Sequence, residues 1–331
     1  MLADPARRVL VVSAPGKRSG AESKVTDLLI ACADAALEGR DGSKSQEQVV
    51  ARYAAIQQDL GIEAALIDRI RSELARRLTA HRADRGRFKD AVKAAGEDFA
   101  ALLVAAAFRA RGVAAVYVNP AEAGMLLEGE AGNAVLCPES YERLSFSLGA
   151  MLEHPDRPII VFPGFFGATR EGAVATFPRG GSDITGAILA AALKADCYEN
   201  FTDVDTVYAV DPRIVPDVHH GIQEMTYREM RELSYAGFGV FHDEAVVPAV
   251  RAGIPINIRN TNHPDLPGTR VVPRREAATC SVVGIASDTG FVALYVDKYM
   301  MNREVGFGRR LLQILEDEGV SFEHMPSGID N

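Results

Sequence analysis

The sequence has 331 residues, which is enough for one large α/β domain or two ordinary ones. It is 47% hydrophobic and 24% charged with a formal net charge of −9, and this acidic balance argues against nucleic acid as the main partner, because phosphate binding needs a basic face. The apolar runs are too short to span a membrane, and the N-terminus has no apolar secretory segment, so we predict a cytoplasmic protein with no membrane partner.

The cysteines and histidines lack the spacing that is typical of metal sites. No C-x-x-C pair occurs among the four cysteines, and the histidines show no H-x-H or H-x-x-x-H pattern. We therefore expect free, mostly buried thiols and no metal held by the protein itself. The four cysteines are Cys32, Cys137, Cys197 and Cys280.

The predicted elements alternate between strands and helices along the chain. Residues 8–14, RVLVVSA, form a continuous apolar run that is typical of a buried parallel strand. Helical spacing follows over 24–37, over 46–82 with at least two helices, and over 88–111, where Gly112 ends the helix. Later strands are predicted at 113–120, 157–167, 206–213 and 254–262.

This alternation predicts an α/β fold with a largely parallel sheet. Ligands of such sheets bind beyond the carboxyl ends of the strands. Polar or glycine-rich residues follow four of the predicted strands, at Ser13, 164–167, 203–211 and 260–262. An enzyme is therefore a better interpretation than a pure interaction module.

The composition changes near residue 265. Residues 265–280 are rich in proline and arginine and are predicted to form a linker. Residues 281–331 then read as a strand, an amphipathic helix and the start of another strand. Such a tail of about fifty residues is too short for an independent domain, so we expect it to pack on something or to be cut short.

The segment 177–183, FPRGGSD, leads directly into an apolar helix. Ser182 suits the N-cap and Asp183 suits the first turn, so a helix start accounts for both residues. The two glycines before them allow a sharp turn or the close approach of a ligand. Arg179 needs another reason, because the helix dipole disfavours a cation there, and we interpret it as the ligand of an anion.

Glu97 lies directly after Gly96 inside a helix that is rich in alanine and leucine. A solvated carboxylate is the commoner explanation for such a residue. The glycine costs about 1 kcal/mol relative to alanine, however, and this suggests that something approaches the helix closely. Both interpretations of Glu97 stay open on the residues alone.

Residues 202–213, TDVDTVYAVDPR, carry three acids. They could form an ordinary loop, since Asp-Pro starts turns, or they could hold the ribose and phosphates of a nucleotide. The spacing of Asp203 and Asp205 superficially fits a calcium loop, but the required Gly and closing Glu are missing. The sequence also has no P-loop, dinucleotide-binding, nucleophile-elbow or zincin motif, which argues against those enzyme classes.

Taken together, several segments resemble the aspartate kinases of the amino acid kinase family. In chain order they are VVSAPGKR with KVTDLL, GED at 96–98, FPGFFGAT, FPRGGSDITGA, FTDVDTVYAVDPR, YAGFGVFHDEAVVPA and IPINIRNTN. They span nearly the whole chain in the family's order and are highly specific as a set. The resemblance implies a three-layer αβα kinase domain over 1–264 and, over 281–331, part of a ferredoxin-like ACT regulatory domain.

The resemblance also implies a reaction, in which ATP phosphorylates the side-chain carboxylate of L-aspartate to give 4-phospho-L-aspartate, with Mg²⁺ on the phosphates. This step leads towards lysine, threonine and methionine. It implies that Arg179 holds an aspartate carboxylate bidentately, that Glu97 and Asp183 face the ammonium group, and that Thr26 helps to seat the substrate. Arg179 and Asp183 would be the catalytic pair, and Ser13 would lie near the γ-phosphate. The residues implied on the nucleotide side are Thr202, Asp203, Tyr208, Asp211 and Arg213.

The sequence departs from the family pattern at both ends. The family opens with a strand and a Lys-Phe-Gly-Gly turn, whose lysine stabilises charge on the transferred phosphoryl group, and no such turn precedes residues 8–14. The regulatory part stops inside its first ACT unit, and Gly239 stands where some relatives carry a lysine. We therefore expect a fragment of a longer enzyme with weak or no turnover.

Other functions stay open as alternatives. A non-catalytic homologue that senses amino acids or regulates a partner subunit would also fit the missing lysine turn. Kinases that act on acetylglutamate, glutamate or UMP are disfavoured by the RGGSD turn and the ACT-like tail. For the complete enzyme, the resemblance implies a homodimer formed through ACT domains and lysine or threonine as an effector.

Overall fold

The computed structural model of the chain describes residues 4–20, 22–80, 82–216, 221–235, 243–276, 282–287 and 289–330. Two compact units are present, Met1–Ala286 and Ser287–Asn331. The predicted positions Gly239 and Cys280, and part of the segment YAGFGVFHDEAVVPA, lie outside the described residues.

The helices confirm much of the predicted helical periodicity. In the described ranges they are α1 Val25–Glu38, α2 Ser43–Leu60, α3 Ala65–Thr79, α4 Arg85–Lys93, α5 Ala95–Ala110, α6 Pro120–Ala123, α7 Ser140–Leu152, α8 Gly181–Leu193, α9 Tyr227–Tyr235, α10 Val247–Arg251 and α11 Phe307–Asp317. None of the helices in these ranges has both the length and the apolar character that crossing a membrane would need.

The strands are mostly short. In the described ranges they are β1 Val9–Val12, β2 Ala115–Tyr117, β3 Leu127–Glu128, β4 Val135–Leu136, β5 Ile159–Pro163, β6 Phe166–Ala168, β7 Val174–Thr176, β8 Tyr198–Thr202, β9 Val207–Tyr208, β10 Gly221–Ile222, β11 Glu224–Thr226, β12 Ile256–Asn260 and β13 Thr269–Val272.

Two main sheets organise the first unit. One has the order β1-β5-β2 with parallel pairing throughout, and Val9 lies opposite Ile160. The other has the order β11-β13-β12-β8, in which only the β12–β13 pair is antiparallel. Short antiparallel pairs form between β3 and β4, β6 and β7, and β9 and β10. The prediction of a largely parallel α/β architecture is confirmed.

The first sheet is covered by helices on both faces, because successive residues of a strand point in opposite directions. Ile159 and Val161 of β5 pack with the apolar face of α5. The alternate residues Ile160 and Phe162 pack in a separate cluster with α7 and α8. The result is a layer of helix, sheet and helix, and all four side chains are at most 8% exposed.

The single helix predicted over 88–111 is wrong in one respect, because two helices occupy this range. α4 ends at Lys93 and α5 begins at Ala95, with a turn at Ala94 between them. Ala94 keeps helical φ and ψ angles, and its N–H donates to the Asp90 carbonyl at 2.9 Å, so α5 begins after a one-residue interruption directly before Gly96 and Glu97.

The first part of the segment predicted as a linker, 265–280, is also different in the structure. Thr269–Val272 forms β13 between β11 and β12, and Val271 is fully buried. This part of the linker prediction is wrong, because the prolines that suggested a linker lie in the turns that flank a core strand.

The unit Ser287–Asn331 contains the predicted amphipathic helix as α11. The strands predicted on either side of it are not present in residues 289–330, which is a third correction. Near its ends, the Lys298 N–H donates to the Asp330 carbonyl at 2.9 Å, and the Asn302 N–H donates to the Ile329 carbonyl at 3.1 Å. These contacts are too few to form a ladder, and a strand needs a paired neighbour to be stable.

Candidate active site

Three segments of the chain meet at the carboxyl ends of β1 and β5. The Gly164 N–H, just after β5, donates to the carbonyl of Val12 at the end of β1, at 2.9 Å. Two residues further along, the Ala14 N–H donates to Oε1 of Glu97 in the first turn of α5, at 3.1 Å. The predicted position of a ligand at the strand ends is therefore surrounded by β1, β5 and α5.

The start of α8 is held against the end of β5 by a close approach at Gly164. A Cβ atom at this position would lie 2.7 Å from Cα and 2.6 Å from Oγ of Ser182, so only glycine fits without movement. The Phe165 N–H also donates to Oγ1 of Thr185, at 3.0 Å. This contact fixes the first turn of α8 beside the strand ends.

The N-cap of α8 is Gly180, which has the left-handed φ of +78° that favours glycine, and no side chain caps this helix. The interpretation of Ser182 as the N-cap is therefore wrong, since Ser182 lies inside the first turn of α8, where it packs closely against Gly164. The prediction that Asp183 lies in the first turn is confirmed. The free peptide N–H groups of this turn form a site that favours anions.

Arg179 lies on the short connection between β7 and α8, one residue before the N-cap. Its side chain is exposed, and within the described part of the chain no hydrogen bond or ion pair to it is found. The guanidinium group is therefore available to an anionic ligand at the start of α8, where its planar donors suit a carboxylate.

Glu97 is the buried acid of the site. It is 6% exposed, and its Oε2 atom has no hydrogen-bond partner among the described residues. Burial raises the pKa of Glu97 to about 7, although the Ala14 N–H and the charge of Lys93 favour the ionised form. A buried carboxyl group with one oxygen not engaged by the described residues suits a cationic ligand, because the positive charge of the ligand would favour the ionised form of Glu97.

Asp183 is linked to β8 rather than to α5. Its Oδ1 accepts a hydrogen bond from Nδ2 of Asn200 at 2.8 Å, and Asn200 is only 8% exposed. The same amide group donates to the hydroxyl of Tyr198 at 3.0 Å, and this hydroxyl donates to the Asp183 carbonyl at 3.3 Å. Asn200 and Tyr198 of β8 therefore hold the first turn of α8 in place through Asp183.

The ends of β8 and β12 carry the first part of the predicted nucleotide side. Thr202 ends β8, and its hydroxyl donates to Oδ1 of Asp203 at 3.3 Å. Asn260 at the end of β12 donates to the Asp203 carbonyl at 3.3 Å and to Oδ1 of Asp205 at 2.6 Å. Asn200, which donates to Asp183, lies two residues before Thr202 on the same strand β8.

The other predicted nucleotide residues lie further along the chain. Tyr208 belongs to β9 and is paired with Gly221 of β10. The exposed Arg213 pairs with the partly buried Asp211, with Nη2 2.6 Å from Oδ2, and the arginine holds the pKa of Asp211 below its usual value. In the described ranges no hydrogen bond joins this pair to Thr202.

Ser13 and Thr26 complete the set of predicted positions. Ser13 is exposed directly after β1, next to Ala14, which contacts Glu97. Thr26 is the second residue of α1, and the preceding Val25 N–H donates to the Pro15 carbonyl at 3.3 Å. Both residues therefore lie beside the end of β1, on the same side as Glu97.

Two polar residues near the site were not found by sequence reasoning. Lys93 and Asn200 lie in segments whose apolar spacing or strand pattern did not single them out. Asn260 was marked as a polar residue at a strand end, but its burial, at 4% exposed, was not expected. The signal that could have drawn attention to the asparagines is an amide side chain within a strand that is otherwise buried, since such groups need a partner.

Among the described residues, no group of three or more His, Cys, Asp or Glu side chains is arranged to hold a metal ion. Around the ends of the parallel strands, the described residues of the site are the exposed guanidinium of Arg179, the buried carboxyl group of Glu97 and the start of α8.

Comparisons with known proteins agree with this architecture. Residues 3–260 match the model of the amino acid kinase family. Over 328 residues the chain is 55% identical to Aspartokinase 3 of Bacillus subtilis (strain 168), which covers 99% of this chain and 71% of that protein. The crystal structure of Clostridium acetobutylicum aspartate kinase superposes with a TM-score of 0.79 at 33% identity, covering 99% of this chain and 70% of that one.

A second solved structure is E. coli aspartokinase III in complex with lysine and aspartate, with a TM-score of 0.68 and 25% identity over 99% of this chain and 72% of that one. The chain thus belongs to the amino acid kinase family, in its aspartate kinase branch. It is a phosphotransferase by this membership.

Proposed function

We propose that this chain binds L-aspartate at the starts of α5 and α8 and transfers the γ-phosphoryl group of ATP to its side-chain carboxylate. Two features of the described residues carry the proposal: Arg179 is exposed and has no partner among them, and the buried Glu97 has one oxygen without a hydrogen bond from them. An amino acid substrate brings both a carboxylate and an ammonium group, so it can satisfy both residues at once.

In this proposal Arg179 holds a carboxylate of aspartate and the peptide N–H groups of the first turn of α8 add to the attraction. Glu97 and Asp183 face the ammonium group, and Thr26 borders the substrate. Phosphoryl transfer needs an aligned carboxylate oxygen and a stabilised negative charge more than covalent help from the protein. The fixed first turn of α8 supports this role because Gly164 and Asn200 leave it little freedom.

The nucleotide is proposed to lie beyond the ends of β8 and β12. Thr202 and Asp203 border this position, and Ser13 borders the γ-phosphate from β1. The proposal extends to Tyr208, Asp211 and Arg213 as nucleotide contacts. Since the described residues offer no cluster of metal ligands, Mg²⁺ is proposed to arrive bound to the phosphates of ATP, where it neutralises their charge.

Regulation and assembly are also proposals. The named relatives include an aspartate kinase described as allosteric and an aspartokinase in complex with lysine. We infer a lysine or threonine effector, a partial ACT domain over 281–331 and a homodimer for the protein that carries this chain. The alternative of a non-catalytic sensor is not favoured, because an aspartokinase matches 99% of the chain at 55% identity.

The proposed reaction is tested by two measurements on the chain. Calorimetry should show saturable binding of L-aspartate and much weaker binding of D-aspartate, and a coupled assay should show at most weak ADP release that depends on L-aspartate. Binding of L-aspartate without any dependent ADP release in the complete protein that carries this chain would favour the sensor instead. Absence of both binding and turnover would contradict the proposed function.

A further inference from the structure

We propose that Asp90 is a positioning residue for the substrate-binding arginine, acting through Thr176. The inference rests on the proposed role of Arg179 in aspartate binding and goes beyond it. Asp90 lies on α4, outside the segments that meet at the ligand position, and it is 1% exposed.

The Asp90 carboxylate is fully engaged. Its Oδ2 accepts hydrogen bonds from the Thr176 N–H at 3.1 Å and from the Gly132 N–H at 3.0 Å. Its Oδ1 accepts from the Thr176 hydroxyl at 2.8 Å and pairs with Nζ of Lys93 at 3.0 Å. A buried carboxylate with this number of donors is rigid, because any displacement leaves charge or donors without a partner.

Thr176 is the last residue of β7, three positions before Arg179, and it is fully buried. The next residue, Phe177, donates its N–H to the Phe165 carbonyl at 2.9 Å. On the other side of Arg179, a Cβ atom on Gly181 would lie 2.6 Å from the Phe165 ring. The backbone that carries Arg179 is therefore fixed on both sides over a span of five residues.

This arrangement explains how an exposed arginine can bind a carboxylate with defined geometry. The guanidinium itself makes no contact within the described part of the chain, so its direction depends on the backbone that carries it. Asp90 holds the β7 end of that backbone through both the amide and the hydroxyl of Thr176. A shift of about 1 Å in such a group can cost two orders of magnitude in activity.

The test is Thr176→Val, which keeps the shape of the side chain and removes the hydroxyl that reaches Asp90. The dissociation constant of L-aspartate should rise about tenfold, and that of an ATP analogue should stay within twofold. Thr176→Ser restores the hydroxyl and should recover most of the affinity. Thr79→Val, which removes an exposed hydroxyl bonded only within α3, is the matched control and should leave both constants unchanged.

A double-mutant cycle separates positioning from a general loss of structure. If Thr176 acts through Arg179, Thr176→Val should have little further effect on aspartate affinity in an Arg179→Lys background. Fully additive effects would overturn the inference, as would wild-type affinity in Thr176→Val. If thermal unfolding shows that Thr176→Val is not folded, Asp90→Asn decides by the same two constants.

The outcomes distinguish this inference from the proposed function. Absence of L-aspartate binding in the wild-type chain overturns the proposed function and the inference with it. Normal wild-type binding that is insensitive to Thr176→Val and Asp90→Asn overturns the inference alone.

Discussion

Replacing Glu97 by glutamine should stabilise the fold and weaken substrate binding at the same time. Glu97 is buried, and burial raises its pKa to about 7 from an ordinary value of 4.5. A carboxyl group whose pKa is raised in the folded state binds its proton more tightly there than in the unfolded chain. The contribution of Glu97 to folding stability is therefore fully present below pH 4.5 and is lost as the pH rises through 7, where the buried group must ionise.

The size of the effect follows from the shift. One unit of pKa corresponds to about 1.4 kcal/mol. The raised pKa of Glu97 therefore lowers the free energy of unfolding by about 3 kcal/mol at pH 8 and by only about 1 kcal/mol at pH 5. Glutamine has nearly the same shape and stays neutral, and its oxygen can still accept the Ala14 N–H. Glu97→Gln should thus raise the free energy of unfolding by up to about 3 kcal/mol at pH 8.

The assay is urea denaturation of the wild-type chain and of Glu97→Gln at pH 5 and pH 8. The control is Glu142→Gln, which neutralises an exposed glutamate that also lies in the first turn of a helix. The difference between wild type and Glu97→Gln should grow with pH, and the control should show no such growth. An equal difference at both pH values would refute the assignment of a raised pKa to Glu97.

The same substitution removes the negative charge that is proposed to face the ammonium group. A hydrogen bond to a charged group contributes about 1.5–3 kcal/mol, so the dissociation constant of L-aspartate should rise about 10- to 100-fold. In the wild type, aspartate affinity should increase as the pH rises through 7, because Glu97 must ionise to hold the ammonium. Unchanged affinity in Glu97→Gln would show that the substrate does not reach this residue.

Two further substitutions test the start of α8. Arg179→Lys keeps the charge but loses the planar donors, so L-aspartate should bind about 10- to 100-fold more weakly, while Arg170→Lys on the neighbouring loop should bind normally in the same calorimetric titration. Gly164→Ala places a Cβ atom 2.7 Å from Cα of Ser182 and should lower the free energy of unfolding by about 1–3 kcal/mol in denaturation curves. The control is Gly149→Ala, at a helical position with open space around it, which should raise the free energy of unfolding by up to about 1 kcal/mol. Normal stability of Gly164→Ala would contradict the close approach of α8 to the end of β5.

Much of the local architecture could be predicted from the sequence. β1 and β5 are continuous apolar runs, and a short run of this kind between helices is typical of a parallel strand with helices on both faces. Arg179 stood out because a cation before a helix start conflicts with the dipole, and such local conflicts often mark functional positions. Glu97 stood out only weakly, because periodicity does not tell whether an acid in a helix is buried.

The contacts that orient these residues could not be predicted in this way. Asn200 reaches Asp183 across 17 residues, and Thr176 reaches Asp90 across 86 residues. Both depend on which strands and helices become neighbours, which local spacing does not specify. The short strand β13 was hidden for a similar reason, since flanking prolines dominated the composition of a segment whose burial comes from pairing with β11 and β12.

Hydrogen–deuterium exchange of the chain with and without L-aspartate locates the bound substrate. Binding at the proposed site should slow the exchange of backbone amides at the first turns of α5 and α8, in peptides that cover residues 95–99 and 179–185, with no change in α11. Saturating L-aspartate that leaves both of these turns unchanged, or protects only residues outside them, would contradict aspartate binding at this site.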